Sequence, residues 1–243
     1  MSGPQQVPPG PAITPVAESS MVLPTLFDPG CEHVELRWYG PVVLWRHEQR
    51  RPGLVQVLPD LCQDLVWGAG GPSVVPRTVE VQHLSFDAGA HTVGVRLPVG
   101  ATLRGLPQGW SDSVWGDCRD VEAAHDGLRN AVETGALRWS VDGQAQRFLR
   151  WADQPCARIP QIAHALGMSE RSLRRSCWQW FQANPVRVVR ILRWWRFLSL
   201  LVSGPAAEAA AVAGYADQAH AWREVRALTG YRVGELARLH LAE

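Results

Sequence analysis

Six side chains in this 243-residue sequence have the types and spacing to read nucleic acid: Arg171, Arg174 and Arg175 in one cluster, and Gln218, His220 and Arg223 in a second. A guanidinium donates two parallel hydrogen bonds to a phosphate or a guanine edge, and amides and imidazoles reach base edges in the same way. All 24 basic residues are Arg. They are unevenly placed, with 10 Arg against 16 acidic residues in positions 1–143 and 14 against 7 in 144–243. The C-terminal part therefore carries the phosphate-seeking charge.

Other candidate chemistry is weaker. Cys31, Glu32 and His33, with His47, His83 and His91, match no standard zinc spacing, and the five cysteines form no CxxC pair. The Gly68–Pro72 stretch lacks the Lys-Ser/Thr of a phosphate loop and reads as a turn, and no GxSxG or HExxH pattern occurs. No enzyme, metal or cofactor is expected. The tryptophans Trp38, Trp45 and Trp67 either enclose an apolar ligand or form a dimer core.

The reading clusters need elements to hold them. Ser169 is a natural N-cap for a helix over Glu170 to Phe181, and Asp217 for one that Gly230 closes. Ala163 and Gly167 stand four apart, as do Ala210 and Gly214, 47 residues later. Each Gly ends a short apolar helix and precedes a capped, Arg-bearing one, so the layout is two helix-turn-helix units. Between them Pro185 to Ser203 predicts a helix of roughly 28 Å, apolar round most of its circumference. A rigid spacer of that length suits two reading helices in successive major grooves, about 34 Å apart. Arg187, Arg190, Arg193 and Arg196 spiral round it, so some must pair with acids, while Trp194 and Trp195 read as core.

The N-terminal part reads differently. Residues 1–20, rich in Pro and Gly, form a flexible leader. Short runs follow, at Val42–Trp45, Leu54–Leu58, Asp64–Trp67, Thr78–Val81 and His91–Leu97, which predict a small antiparallel sheet or barrel. Ser111 to Ser140, with Val121, Ala124, Leu128, Val132 and Leu137 at helical spacing, predicts a helix against it. The fold class is α+β: a β-rich domain over 21–140, then an all-α domain over 145–243 with two helix-turn-helix units joined by a long helix.

Residues 145–243 resemble the DNA-binding domain of AraC/XylS-type transcription regulators. The carriers are Ile162-Ala163, Gly167-Met168-Ser169-Glu170-Arg171-Ser172-Leu173-Arg174-Arg175, Ala213-Gly214-Tyr215-Ala216-Asp217-Gln218-Ala219-His220, Arg223-Glu224-Val225 and Thr229-Gly230. The β-rich half resembles a small domain of unknown function that often precedes such halves, through Leu58-Pro59-Asp60, Asp64–Trp67 and Val93–Ala101. Ala221 stands where the family usually has a bulky residue, Trp222 where a small hydroxyl residue is usual, Val233 for a common Pro and Cys177 for a common Phe. The resemblance implies a cytoplasmic, sequence-specific transcription regulator whose partner is double-stranded DNA. Control through the N-terminal domain, by a small-molecule effector or by homodimer formation, is the expected regulation. The alternative is an interaction module whose degenerate helix-turn-helix half no longer reads DNA. No membrane partner is expected, since no apolar run reaches spanning length.

Overall fold

A computed structural model describes residues 31–68, 71–104, 121–201 and 204–240. The expected leader and the start of the expected Ser111–Ser140 helix lie outside these. No helix among the described residues is long and apolar enough to cross a membrane.

The N-terminal half is built on one antiparallel sheet. Strands β1 (Cys31–Tyr39), β2 (Val42–Gln49), β4 (Asp64–Gly68), β5 (Gly71–Val75) and β7 (Ala90–Arg96) are arranged in the order β1-β2-β7-β4-β5. A separate pair joins β3 (Gly53–Val57) to β6 (Gln82–Phe86), and β8 (Thr102–Leu103) pairs with β9 (Trp139–Ser140). Side chains alternate across the large sheet, as the pleat requires. One face presents Leu44, Leu65, Val93 and Val95 to helix α1 (Val121–Glu133), which answers with Ala124, Leu128 and Ala131. The other face carries Trp45, Val66, Thr92 and Arg96, and with Val57, Leu84 and Phe86 of the β3–β6 pair it encloses a cavity of about 340 Å³.

Two expected elements differ. The helix ends at Glu133 rather than running to Ser140. Leu137 donates its N–H back to Ala131, and Trp139–Ser140 leaves as a strand because Thr102–Leu103 offers it a ladder. Thr78–Val81 is not a strand, because its carbonyls serve other partners: Thr78 accepts from the N–H groups of Asp60 and Leu61, at 2.9 and 3.1 Å. Sequence periodicity missed the strands Cys31–Tyr39, Gly71–Val75 and Gln82–Phe86 and the two-residue strands Thr102–Leu103 and Trp139–Ser140.

The C-terminal half is helical: α2 (Gly143–Ala152), α3 (Ile159–Ala165), α4 (Glu170–Phe181), α5 (Pro185–Leu201), α6 (Ala206–Ala213), α7 (Gln218–Thr229) and α8 (Val233–His240). Its core gathers Phe148, Ile162, Leu173, Phe181, Trp194 and Phe197 around α5. Two residues of the β half, Leu58 and Leu61, are fully buried in that helical core. Each contributes about 1.5–3 kcal/mol of apolar burial to holding the halves together.

Between those leucines sits Asp60, part of a buried triad. Arg96 meets Asp64 through two hydrogen bonds, at 2.9 and 2.7 Å, and Asp60 at 2.8 Å. Burial pushes Asp60 up to about 7; Arg96 opposes the rise and the Asp64 carboxylate adds to it. A carboxyl raised in the folded state binds its proton more tightly there than in the unfolded chain. Its stabilising contribution is therefore complete below the unfolded value near 3.8 and is lost as pH climbs towards about 7. Asp60→Asn removes this titration. The stability of the natural protein relative to Asp60→Asn should fall between about pH 4 and 7, measured by urea unfolding of both. A difference that stays flat across that window would refute the assignment.

Candidate functional site

The two helix-turn-helix units are α3–α4 and α6–α7. Ser169 caps α4 by accepting from the Ser172 N–H at 3.1 Å, and Asp217 caps α7 by accepting from the His220 N–H at 2.6 Å. These bonds satisfy donors that a helix start leaves open. Gly167 and Gly214 turn the chain between the helices of each unit, at φ +67° and +91°.

Both reading helices have 12 residues, so they can be matched position by position. The buried places pair Leu173 with Ala221, Cys177 with Val225 and Phe181 with Thr229. The exposed places pair Arg171 with Ala219, Arg174 with Trp222, Arg175 with Arg223, and Trp178 with Arg226. Each set runs i, i+3, i+4, i+7 and so forms one outward stripe. None of these five arginines makes an ion pair with a described residue. Trp178 and Trp222 are 55% and 49% exposed.

The turn of the second unit is one residue longer than that of the first. Tyr215, which it supplies, is buried and meets Phe197 edge-on at 5.7 Å. Gln218, the first residue of α7, is half-buried. His220 is held locally: its ring packs edge-on against Tyr215 at 5.3 Å, and its Nδ1 accepts from the Ala216 N–H at 3.4 Å. The side chain therefore fixes the turn that aims α7.

The arginines of α5 are all engaged within the protein. Arg190 and Arg193 reach Glu224 of α7, at 3.3 and 3.8 Å, and Arg193 lies 5.5 Å from the centre of the Tyr215 ring. Arg196 donates to Asp153, at the end of α2, and to the Ala213 carbonyl, at the end of α6. Arg187 Nε donates to the Val79 carbonyl of the β half, at 2.9 Å. Sequence reading singled out Glu224 only as part of a motif; its role as the anchor of α7 on α5 needed the fold. Trp194 is fully buried, while Trp195 is half-buried and donates to the Pro59 carbonyl at 2.8 Å.

In the β half, Trp45 lines the cavity and Trp67 lies on the opposite face of the sheet, beside α1. His47 and His91 also line the cavity, whereas His83 is exposed on β6. Among the described residues no group of three or more His, Cys, Asp or Glu side chains converges as a metal site would. Burial pushes the Cys177 thiol up to about 12 and raises Cys62 as well, so both stay protonated and act as small apolar groups.

The family described as "Helix-turn-helix domain" matches residues 162–238. No curated protein matches the chain. Among solved structures, apo ToxT from Vibrio cholerae strain SCE256, as a point variant, is similar at a TM-score of 0.48 and 9% identity, over 82% of this chain and 98% of that one. Wild-type ToxT of the same strain, bound to an unsaturated fatty acid, gives 0.44 and 11%, over 83% and 96%. ToxT from Vibrio cholerae O395 gives 0.46 and 10%, over 80% and 96%. With two turns and two capped helices inside the matched residues 162–238, this region of the chain is a helix-turn-helix domain.

Proposed function

We propose that the chain is a sequence-specific transcription regulator that reads two adjacent stretches of DNA with α4 and α7 and is controlled through its β-rich half. The observation that carries this is the pair of matched outward stripes, with Arg171, Arg174 and Arg175 on one helix and Arg223 and Arg226 on the other. Guanidinium groups with no ion-pair partner among the described residues are available to phosphates and guanine edges. Gln218, at the start of α7, is placed to reach a base or a backbone oxygen, and His220 orients the helix behind it. The division of labour follows the sequence, with residues 21–140 as the sensing part and 145–243 as the reading part.

Control has a physical route. In β3, Val57 lines the cavity while its neighbour Gln56 donates to the Thr229 carbonyl at the end of α7, at 2.7 Å. Thr78 lines the cavity while the adjacent Val79 carbonyl takes Arg187 of α5. A small molecule that shifts β3 therefore presses on the second reading helix, and one that shifts the Thr78 segment presses on the spacer. Such coupling requires only that the effector bind one arrangement better than the other.

The test is a footprint of the purified protein on its own upstream region. A protected site of about two helical turns is expected. Changing Arg171 and Arg223 together to Ala should weaken it by about 2–6 kcal/mol, at 1–3 kcal/mol for each specific contact, or roughly thirtyfold at least. Binding should also fall steeply with salt. A folded protein with no sequence preference at low salt would overturn the proposal. That result would favour the interaction-module alternative, for which the exposed Trp178 and Trp222 would be the docking residues.

A further inference from the structure

The two reading helices differ in chemistry at the outward places nearest their starts. In α4 the second and fifth residues are Arg171 and Arg174, and in α7 they are Ala219 and Trp222. All four are exposed. Residues three apart share a helix face, and the N-terminal part of a recognition helix is the part that meets base edges. At that place the first helix offers two guanidiniums, whereas the second offers a methyl group and an indole flanked by Arg223 and Arg226. Trp222 is 49% exposed, and among the described residues it has no hydrogen-bond or ring partner. Trp178, the other exposed indole of the reading helices, is placed differently. It is the ninth residue of α4 and lines a cleft with Val79 and Glu80 of the β half.

An indole held in water at the centre of an arginine stripe gains free energy when a partner covers it. In the major groove the apolar feature is the C5-methyl of thymine, which Ala and aromatic side chains contact, while guanine presents two acceptors that suit arginine. The one polar atom of an indole is a donor. Thymine is the base that sets an acceptor, O4, beside a methyl group. We propose, on the reading of α7 as a DNA-reading helix, that Ala219 and Trp222 select thymine through its C5-methyl group. The target then joins a guanine-reading half under α4 to a thymine-reading half under α7, with Arg223 and Arg226 on the neighbouring phosphates. Two unlike halves give the target a direction.

The test uses the full-length protein and duplexes carrying the sequence it protects in its own upstream region, with 2′-deoxyuridine in place of thymine in one half or the other. The exchange removes the methyl group and keeps the base pairing. Arg223→Ala, made singly, identifies the α7 half as the one whose protection it reduces. In fluorescence anisotropy, uracil in that half should weaken binding about three- to fivefold for each methyl group that α7 covers, and uracil in the α4 half should leave affinity unchanged. Trp222→Ala, at an exposed place with no described partner to lose, should bind the thymine and uracil duplexes equally, and Trp222→Phe should keep part of the discrimination. The comparison of duplexes on the natural protein stands even if neither variant folds. The proposal is overturned if uracil is tolerated in both halves, if both halves lose affinity equally, or if Trp222→Ala still distinguishes thymine from uracil. Each of those results, obtained on a sequence-specific footprint, leaves the reading of DNA by α4 and α7 intact, whereas the absence of any protected site overturns both.

Discussion

Arg96→Met is expected to destabilise the protein by about 3–5 kcal/mol, because it leaves two buried carboxylates facing each other without a cation. Met matches the apolar stem of Arg, so little packing is lost and the effect isolates the charge. Arg96 makes two hydrogen bonds to Asp64 and an ion pair to Asp60, and all three residues are buried. For a chain of this length each kcal/mol moves the thermal midpoint by about 2–4 °C, so a fall of roughly 6–20 °C is expected. Adding Asp60→Asn and Asp64→Asn to the same chain should recover much of the loss, since the unpaired charges are then gone. A thermal scan showing a fall of only a degree or two for Arg96→Met would mean that the triad is solvated in practice. Asp60 lies between Leu58 and Leu61, which plug into the helical core. Arg96→Met should therefore also reduce DNA affinity, although no residue of the triad lies on a reading helix.

Gly214→Ala and Gly167→Ala occupy equivalent turns and should behave very differently. Both positions have positive φ, which costs an alanine about 1–2 kcal/mol. At Gly167 nothing lies within 4 Å of the added Cβ, so that strain is the whole effect. At Gly214 the Cβ would stand 1.8 Å from the Pro155 carbonyl oxygen and 2.5 Å from its carbon. Backbone cannot swing aside as a side-chain tip can, so α6 or the segment after α2 must move. Overpacking of this kind adds about 1–3 kcal/mol, for a total of about 2–5 kcal/mol. The second unit is held to the spacer through Glu224 and Arg196, contacts that need α6 and α7 in place. Gly214→Ala should therefore erase protection of one half of the footprint before the other, whereas Gly167→Ala should leave both halves protected. Equal losses of stability for the two variants would show that the Pro155 contact is not made.

The amino-acid sequence by itself determined the elements whose signals are local. Ser169 and Asp217 announce helix starts, Gly214 and Gly230 announce ends, and Ala124 and Leu128 mark the inward face of α1, because caps, turns and helical periodicity involve residues a few positions apart. The repeat of Ala163 and Gly167 at Ala210 and Gly214 was legible for the same reason. Tertiary structure alone decided the rest. The four arginines of α5 look alike in sequence, yet Arg187 goes to the β half, Arg190 and Arg193 to Glu224, and Arg196 to Asp153. Alternation shows that Trp45 and Trp67 lie on strands, but not that one faces a cavity and the other a helix; that depends on what packs on each face. Thr78–Val81 has the composition of a strand and is none, because its carbonyls meet Asp60, Leu61 and Arg187 instead of a neighbouring ladder. Trp222 is exposed because it holds the place in α7 that Arg174 holds in α4, on the face turned away from the buried Ala221, Val225 and Thr229. In each case the deciding partner is distant along the chain, so the choice among equivalent residues is made by packing.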